Sequence, residues 1–354
     1  MASAGRERSL KRGAERITLD GVAKEAGVSL STVSRAVRDE YGVSPDVRTR
    51  VLRAARKLNY VPNLQARSLA LGRTNLIGLV TPPVTVMAPH LTGVARIESL
   101  IHAENRRLIH FRYEAGESDK VVEIALEQHW DGALIFPNAP EDVTRKLIAT
   151  LAKYGIPSVV LSPPNWAGLD YVTFDRAHGV RLILDHAAQR GVRTVAVMAA
   201  TEEIAVLANS PKYCFLEIEL QRRGMELAGL IGVAKSVELG PELYVAACDA
   251  MNTPQARALR PDLLMAANDT MAVAAINCLI DRGLRVPQDV AVTGFDDAEW
   301  SRYVRPSLTT VRLAIDEMVE LGWNLLKRRL AGEGGEPQSM LVLPSLVVRQ
   351  STER

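Results

Sequence analysis

Apolar residues in the first sixty positions recur at helical spacing, in three short runs. Thr18 can cap a first helix, and Gly27 can end it in the left-handed conformation that glycine adopts without strain. After a short turn, Ser29 can cap a second helix over residues 30–37. A third helix led by a proline then closes the core. This pattern predicts a helix-turn-helix within a small three-helix domain.

From residue 76 the pattern changes to short apolar strands that alternate with amphipathic helices, which predicts parallel sheets covered on both faces. The first series places strands at 76–81, 108–113, 132–136, 158–161 and 172–174, with helices at 92–106, 119–129 and 141–154. The second series places strands at 193–199, 231–237, 262–267 and 289–294, with helices at 177–190, 211–224, 242–250 and 269–282. A helix over 315–331, a glycine-rich turn and one strand over 340–348 complete the chain. The expected fold class is α/β, with a small all-α head and a body of two doubly wound parallel-sheet lobes.

Charge is distributed unevenly along the 354 residues, although the formal net charge is only +2. Residues 1–73 contain fifteen Lys or Arg and seven Asp or Glu, so this part carries +8 and the remainder −6. A basic head on an acidic body is typical of a module that binds a polyanion. The alternative is an ordinary solvated basic surface on a helical bundle.

Several classes of protein are disfavoured by what the sequence lacks. No stretch approaches the roughly 18 apolar residues of a membrane span, and the polar residues 1–16 lack a signal-peptide core. The three cysteines are far apart and lack partners at metal-ligand spacing, which favours a reduced, cytoplasmic protein without a metal site. No nucleotide-binding glycine loop or catalytic nucleophile motif is present. We therefore expect no cofactor, no membrane partner and no enzyme.

The second helix has an outward face that combines short hydroxyls with arginines. Its predicted inner face is Val33, Ala36 and Val37, which leaves the serines, the threonine and the arginines toward solvent. Hydroxyl and guanidinium groups are the side chains that contact phosphates and base edges in DNA. This face is the candidate DNA-reading surface.

The head resembles the DNA-binding domain of the lactose and galactose repressor family. The resemblance rests on three runs: TLDGVAKEAGVSLSTVSR at 18–35, NYVPN at 59–63 and ARSL at 66–69. It implies that Leu30 and Ser31 begin the recognition helix, and that a hinge starting at Asn63 orders when two copies meet on an operator. It also implies that Leu69 wedges into the central base step from the minor groove, with Ala66 as the small close-contact residue. The alternative for Leu69 is packing on the body.

With the outward arginines of the head and hinge included, the expected DNA-binding residues are Thr18, Ser29, Leu30, Ser31, Thr32, Ser34, Arg35, Arg38, Asn63, Ala66, Arg67 and Leu69.

The body resembles the effector domain of the same family, which is periplasmic-binding-protein-like and is crossed three times by the chain. The resemblance rests on NLIGLV at 75–80, DGALI at 131–135, ANDTMA at 267–272, VTGFDD at 292–297 and PSLTTV at 306–311. It implies a small, sugar-like effector at the carboxyl ends of the strands, between the lobes. It also implies that Asp269 accepts hydrogen bonds from effector hydroxyls, the alternative being that Asp269 only complements the next helix terminus.

Other cleft-edge positions are candidates with a structural role as the alternative, and two departures from the family pattern bear on them. Pro211 stands where the family has an effector-clamping arginine, and Lys212 can replace it only as a point charge. Leu313 stands where the family often has a polar residue. The expected effector-binding residues are Thr81, Phe136, Ser162, Asp175, Arg176, Lys212, Asp269 and Trp300.

The expected organisation is a basic leader, a DNA-binding head, a hinge and two lobes that each return in sequence. The ranges are 1–16 for the disordered leader, 17–62 for the helix-turn-helix domain, 63–74 for the hinge and linker, 75–173 with 311–333 for the N-terminal lobe, and 174–310 with 334–354 for the C-terminal lobe. The predicted function is a DNA-binding transcription regulator, most simply a repressor, that binds a palindromic operator as a homodimer under small-molecule control. The alternatives are a repressor with altered or lost effector response and a cytosolic solute-binding receptor.

Overall fold

A computed structural model gives the fold of the chain and describes it in eight segments. These segments are 18–37, 41–60, 73–82, 91–114, 116–137, 140–162, 166–234 and 241–353. The chain divides into two compact units, Met1–Thr74 and Asn75–Arg354. We refer to them as the head and the body.

The described part of the head is three helices: α1 (Leu19–Ala26), α2 (Leu30–Val37) and α3 (Pro45–Lys57). Thr18 caps α1 by accepting a hydrogen bond from the Gly21 N–H, and Gly27 ends α1 at φ 64°.

Small residues close the core between the three helices of the head. The buried set is Val22, Ala23, Ala26, Val33, Ala36, Val51 and Ala54. Alanine and valine let short helices approach closely, and Lys57 adds an exposed ion pair with Glu25 from α3 to α1. The three predicted helices are therefore confirmed, and α2 is left with one face toward solvent.

The N-terminal lobe of the body is a six-stranded sheet in the order β11-β5-β4-β3-β1-β2, with every described pairing parallel. Its strands are β1 (Leu76–Thr81), β2 (Arg107–Arg112), β3 (Gly132–Ile135), β4 (Ser158–Leu161), β5 (Tyr171–Phe174) and β11 (Ser339–Val342). Its helices are α4 (Leu91–Ala103), α5 (Ser118–Glu127), α6 (Glu141–Lys153) and α13 (Ile315–Leu330). Strands β1, β3 and β5 are buried along their whole length, as strands covered on both faces must be.

The C-terminal lobe is a second six-stranded sheet, in the order β12-β10-β9-β8-β6-β7, parallel except for the edge strand β12. Its strands are β6 (Thr194–Ala200), β7 (Glu226–Val233), β8 (Leu263–Ala266), β9 (Ala291–Asp296), β10 (Thr309–Arg312) and β12 (Ser345–Val347). Its helices are α7 (Arg176–Gln189), α8 (Thr201–Ala205), α9 (Leu216–Arg222), α10 (Pro241–Met251), α11 (Pro254–Ala258) and α12 (Asp269–Asp281). Short 3-10 turns lie at Leu207–Asn209, Glu299–Arg302 and Gln350–Thr352.

The chain crosses between the lobes three times: after β5, after β10 and between β11 and β12. The sequence prediction of one final strand over 340–348 is wrong, because this stretch forms two strands in different sheets. Pro344 interrupts the apolar run and lacks the N–H that a continuous strand requires. Residues 339–342 therefore belong to the N-terminal lobe rather than the C-terminal one, and β10 keeps residues 311 and 312 in the C-terminal lobe.

Candidate functional site

The outward face of α2 is the first candidate site. Leu30, at its first turn, is 51% exposed. Ser31 and Arg35 are exposed beside it, whereas Val33 and Ala36 are buried on the opposite face. An exposed leucine among hydroxyl and guanidinium groups suits an apolar and polar partner such as the edge of a base pair.

Three hydroxyls at the start of α2 form one cluster. The Ser29 Oγ lies 2.9 Å from the Ser31 Oγ and 2.8 Å from the Thr32 Oγ1. Ser29 also accepts a hydrogen bond from the Thr32 N–H at 3.2 Å, so it caps the helix as predicted. The cap orients these hydroxyls along the positive end of the helix, where phosphate oxygens are bound readily.

Not every predicted DNA-binding residue falls in a described segment. Thr18, at the cap of α1, and Ser34, half-buried on α2, complete the described group. The other predicted residues lie outside the described residues, as does the basic leader: Arg38, Asn63, Ala66, Arg67 and Leu69.

The second candidate site is a cavity of about 460 Å³ in the body. Residues that follow the carboxyl ends of strands supply much of its wall, the position at which open α/β sheets bind ligands. The lining residues are Ser162, Arg176, Ala200, Glu203, Ser210, Pro211, Lys212, Val233, Ala234, Leu243, Ala267, Asn268, Met271, Phe295 and Asp296. Three of the predicted effector residues, Ser162, Arg176 and Lys212, are among them.

The two cations of the cavity are held by neutral groups. Arg176, the first residue of α7, donates to the Ser162 Oγ at 2.7 Å and to the Thr173 Oγ1 at 3.3 Å. Lys212 donates to the Ala267 carbonyl oxygen at 2.5 Å, and its Nζ lies 3.6 Å from the centroid of the Phe295 ring. Both head groups are therefore fixed in position before any ligand arrives.

Burial shifts the ionisation of the charged groups that face this cavity. Desolvation lowers the pKa of Lys212 to about 8, against the opposing pull of Asp296 and Glu203. Desolvation also lowers the pKa of Arg176, again opposed by the two acids. The pKa of Asp296 rises to about 6 because burial outweighs the two nearby cations. Such shifts concentrate at sites built to bind or react.

Two residues of the cavity wall have a strained backbone. Ser162 has φ 61° and Asp296 has φ 108°, both in the region that L-amino acids avoid. Ser162 follows β4 and Asp296 ends β9, so each lies at the point where the chain turns out of its sheet. Strain of this kind is retained where the fold must aim a particular side chain.

Asp269 does not line the cavity, and the expectation that it faces an effector is corrected here. Its carboxylate is 2% exposed, accepts a hydrogen bond from the Thr310 Oγ1 at 2.5 Å and accepts another from the Ala298 N–H at 2.6 Å. Burial raises the pKa of this carboxyl to about 8. Asp269 therefore ties α12 to β10 and to the loop after β9, behind the wall that its neighbour Asn268 forms.

The remaining four candidates lie near strand ends but outside the cavity wall. Thr81 is buried and bonded to His110, and Phe136 is buried in the core of the body. Asp175 caps α7 through the His178 N–H at 2.8 Å. Trp300 is 41% exposed on a 3-10 turn.

Sequence reasoning missed two polar residues of the wall that a strand-end rule could have found. Asp296 is the last residue of β9, and Asn268 follows β8 after a single residue. Glu203, on the short helix α8, and Ser210, which follows the 3-10 turn Leu207–Asn209, are joined by a hydrogen bond of 2.9 Å and carry no such signal because neither follows a strand directly.

None of the helices in the described residues is both long and apolar enough to cross a membrane. Within the same residues, His, Cys, Asp and Glu side chains do not gather in threes at a possible metal site.

A helix-turn-helix head on a two-lobed body with an internal polar cavity defines the class of ligand-responsive DNA-binding regulators. Comparison with known proteins supports this class in both parts of the chain. Residues 18–63 match the model of bacterial regulatory proteins of the lacI family, and residues 184–352 match that of the periplasmic binding protein-like domain.

Similarity extends over nearly the whole chain. The HTH-type transcriptional regulator CelR of Thermobifida fusca is 30% identical, over 95% of this chain and 98% of the relative. The ribose operon repressor of Escherichia coli K12 is 28% identical, over 94% and 99%. The chain belongs to the lacI family of bacterial regulatory proteins, and it is a DNA-binding transcription regulator rather than an enzyme.

Solved structures agree with this assignment. A lac repressor dimer bound to operator and the anti-inducer ONPF superposes with a TM-score of 0.81 at 25% identity, over 96% of this chain and 99% of that one. A CelR–cellobiose complex gives 0.66 at 28% identity, over 94% and 99%. The predicted fold class is therefore confirmed.

Proposed function

We propose that the protein is a cytoplasmic repressor that binds a palindromic operator as a homodimer. Its affinity for the operator decreases or increases when a small molecule occupies the body cavity. The observation that carries the proposal is the exposed face of α2, where Leu30, Ser31 and Arg35 stand beside a preformed hydroxyl cluster. The operator-bound lac repressor dimer, similar over almost the full chain, supports the same arrangement.

Selection of bound DNA from a random pool by the full-length protein tests the operator. A two-fold symmetric consensus is expected, since a dimer presents one recognition helix to each half-site. A consensus without internal symmetry, or no enrichment at all, would contradict the proposal.

Arg35→Ala tests whether α2 is the reading helix. Loss of one phosphate contact reduces the slope of log affinity against log salt by about 0.9. Arg260→Ala is the matched control, because Arg260 is equally exposed but lies in the C-terminal lobe and bonds only to nearby carbonyl oxygens. Equal slopes for wild type and Arg35→Ala would remove Arg35 from the interface.

The hinge over residues 63–74 is expected to couple the body to DNA through Leu69. Inserting an apolar wedge costs a few kcal/mol of unstacking, which the bent DNA offsets through added contacts. Leu69→Ala is therefore expected to weaken operator binding much more than binding to random DNA. Equal weakening of both would contradict the wedge.

We further propose that the body cavity holds the effector, on Ser162, Arg176, Lys212, Asn268 and Asp296. The polar groups converge from separate segments onto a space large enough for a sugar, as ligand pockets do. The rival function is a repressor without effector response, and it is supported by Pro211, which stands at the position of the usual effector-clamping arginine. Arg176 and Lys212 oppose that rival, since two cations still reach the cavity.

Asn268→Ala separates these two functions. Loss of ligand-induced thermal stabilisation with unchanged operator binding is expected if the cavity holds the effector. Trp300→Ala is the control, because Trp300 lies outside the cavity wall. An effector response unaffected by Asn268→Ala would contradict the cavity assignment.

A further inference from the structure

Arg176 and Lys212 are cations without a carboxylate in contact. Within the described residues, neither head group lies within 4.0 Å of an Asp or Glu oxygen, and all their observed hydrogen bonds go to hydroxyl or carbonyl oxygens. Lys212 is only 9% exposed, and Arg176 is half-buried. A buried cation is costly unless an opposite charge pairs with it, so both head groups are incompletely satisfied.

The two acids of the cavity do not fill this role. Glu203 accepts a hydrogen bond from the Ser210 Oγ at 2.9 Å, and Asp296 interacts with the cations at a distance rather than in contact. Both acids remain available to accept hydrogen bonds from hydroxyl groups, and Asn268 adds an amide. The cavity therefore offers cations to a negative group and hydrogen-bond acceptors to hydroxyl donors.

A neutral sugar would satisfy only half of this arrangement. Its hydroxyls can pair with Asp296, Glu203 and Asn268, but they give the cations no negative partner. Hydrogen bonds in which both partners are charged are shorter and stronger than those with a neutral partner. A ligand that has both hydroxyls and an acid group would satisfy the cations and the acceptors at once.

We infer that the effector is a small polyhydroxylated anion, a sugar acid or a sugar phosphate, whose acid group binds Arg176 and Lys212 while its hydroxyls bind Asp296 and Asn268. This inference rests on the proposed function, since it names the ligand of the same cavity. The cavity volume of about 460 Å³ accommodates one or two sugar rings.

Matched ligand pairs test the inference on the full-length protein. Galacturonate with galactose, glucuronate with glucose, and gluconate with sorbitol form the carboxylate arm, and glucose 6-phosphate with glucose forms the phosphate arm. Thermal shift ranks the ligands, and titration calorimetry measures affinity. At least one acid is expected to bind tenfold or more tightly than its neutral parent, and the arm that contains it identifies the acid group. Neutral parents that bind as well as their acids, or a panel in which no acid stabilises the protein, would overturn the inference.

Variants assign the acid group to the two cations. Lys212→Met keeps the buried volume and Arg176→Gln keeps a hydrogen-bond donor. Each is expected to lower affinity for the acid by about 10- to 100-fold, the usual value of a hydrogen bond to a charged group, and to change affinity for the neutral parent little. Lys212→Arg, which retains the charge, should recover part of the loss. Preference for the acid that survives in the double variant would overturn the assignment.

Operator binding distinguishes a failure of the proposed function from a failure of the inference about the effector. Lys212→Met is expected to match the wild type in operator binding without ligand, and far-ultraviolet circular dichroism checks the fold of both variants. Arg260→Gln serves as the control for a surface cation outside the cavity. Absence of operator binding by the wild type, both with and without ligand, would refute the proposed function, whereas operator binding with a response only to neutral sugars would refute the inference alone.

Discussion

His186 is a buried imidazole that the fold keeps uncharged, and this has a measurable cost in acid. Its Nε2 lies 2.8 Å from the Thr352 Oγ1, and its Nδ1 lies 3.0 Å from the Arg190 Nη1. A guanidinium can only donate, so Nδ1 must accept and Nε2 must carry the proton. A second proton would face Arg190 directly. Desolvation, followed by repulsion from Arg190, lowers the pKa of His186 from 6.5 to about 4.

The sign and size of the effect follow from proton linkage. Between pH 4 and 6.5 the unfolded chain binds a proton at this site and the folded chain does not, so stability rises with pH across this window. The lowering of the His186 pKa from 6.5 to about 4 corresponds to about 3 kcal/mol of folding free energy. Most of it acts below neutrality, and lowering the pH from 7.5 to 5.0 is expected to cost about 2 kcal/mol through His186.

The variant His186→Gln removes the titration while keeping an amide to bridge the same two partners. Urea unfolding followed by circular dichroism at pH 7.5 and 5.0 gives the free energy of unfolding of each protein. The wild type is expected to lose about 2 kcal/mol more than His186→Gln over this interval. His102→Gln, at an exposed position, is the matched control. Parallel losses in wild type and His186→Gln would refute the reasoning.

Three further variants probe the packing behind the sites. Gly294→Ala places a methyl against the Asp269 carboxylate and should lower the free energy of unfolding by about 1–3 kcal/mol, whereas Gly334→Ala, which meets open space, should be close to neutral in the same urea titration. Asp269→Ala leaves the buried Thr310 hydroxyl and the half-buried Ala298 N–H without their acceptor, at about 1–3 kcal/mol for the buried group; unchanged unfolding with lost effector binding would instead place Asp269 against the ligand. Ser29→Ala removes a helix cap and should destabilise the head by about 1 kcal/mol in thermal unfolding, while Ser44→Ala, whose hydroxyl makes no cap bond, should not; equal losses would show that the Ser29 cap contributes nothing.

The head was predictable because its signals are local. A cap at Thr18, a left-handed Gly27 and a cap at Ser29 each specify their own turn through hydrogen bonds to residues at most four positions away. Apolar spacing then selects the inner face of each helix without reference to distant parts of the chain.

Strands that depend on distant partners were harder to predict. β10 contains a single apolar residue, so no apolar run marks it in the sequence, and it becomes a strand by pairing with β9 and β12. β11 pairs with β5, which lies more than 160 residues earlier in the chain. Pro344 marks the break between β11 and β12, but nothing local shows which sheet each of them joins, so the sequence predicts a single strand in one lobe.

The sequence also does not decide which of two neighbouring residues faces the cavity. Asp269 and Asn268 are neighbours, and both follow β8, but only Asn268 faces the cavity. At a helix start, successive side chains point in different directions, so a motif places both residues near the site without deciding which of them reaches it. Asp269 instead positions the wall by bonding to Thr310 and Ala298.

The charge of a ligand can change the arrangement of the two lobes through Arg176. An effector changes DNA affinity only if two states of the body bind it differently. Ser162 follows β4 of the N-terminal lobe, whereas Lys212, Asn268 and Asp296 belong to the C-terminal lobe. Arg176 lies at the first crossing and donates to the Ser162 Oγ, so an acid group that draws on its guanidinium acts directly on a contact between the lobes. A ligand held by the C-terminal residues alone would bind without altering that contact, and the acid group is therefore the part of the ligand that we expect to carry the signal.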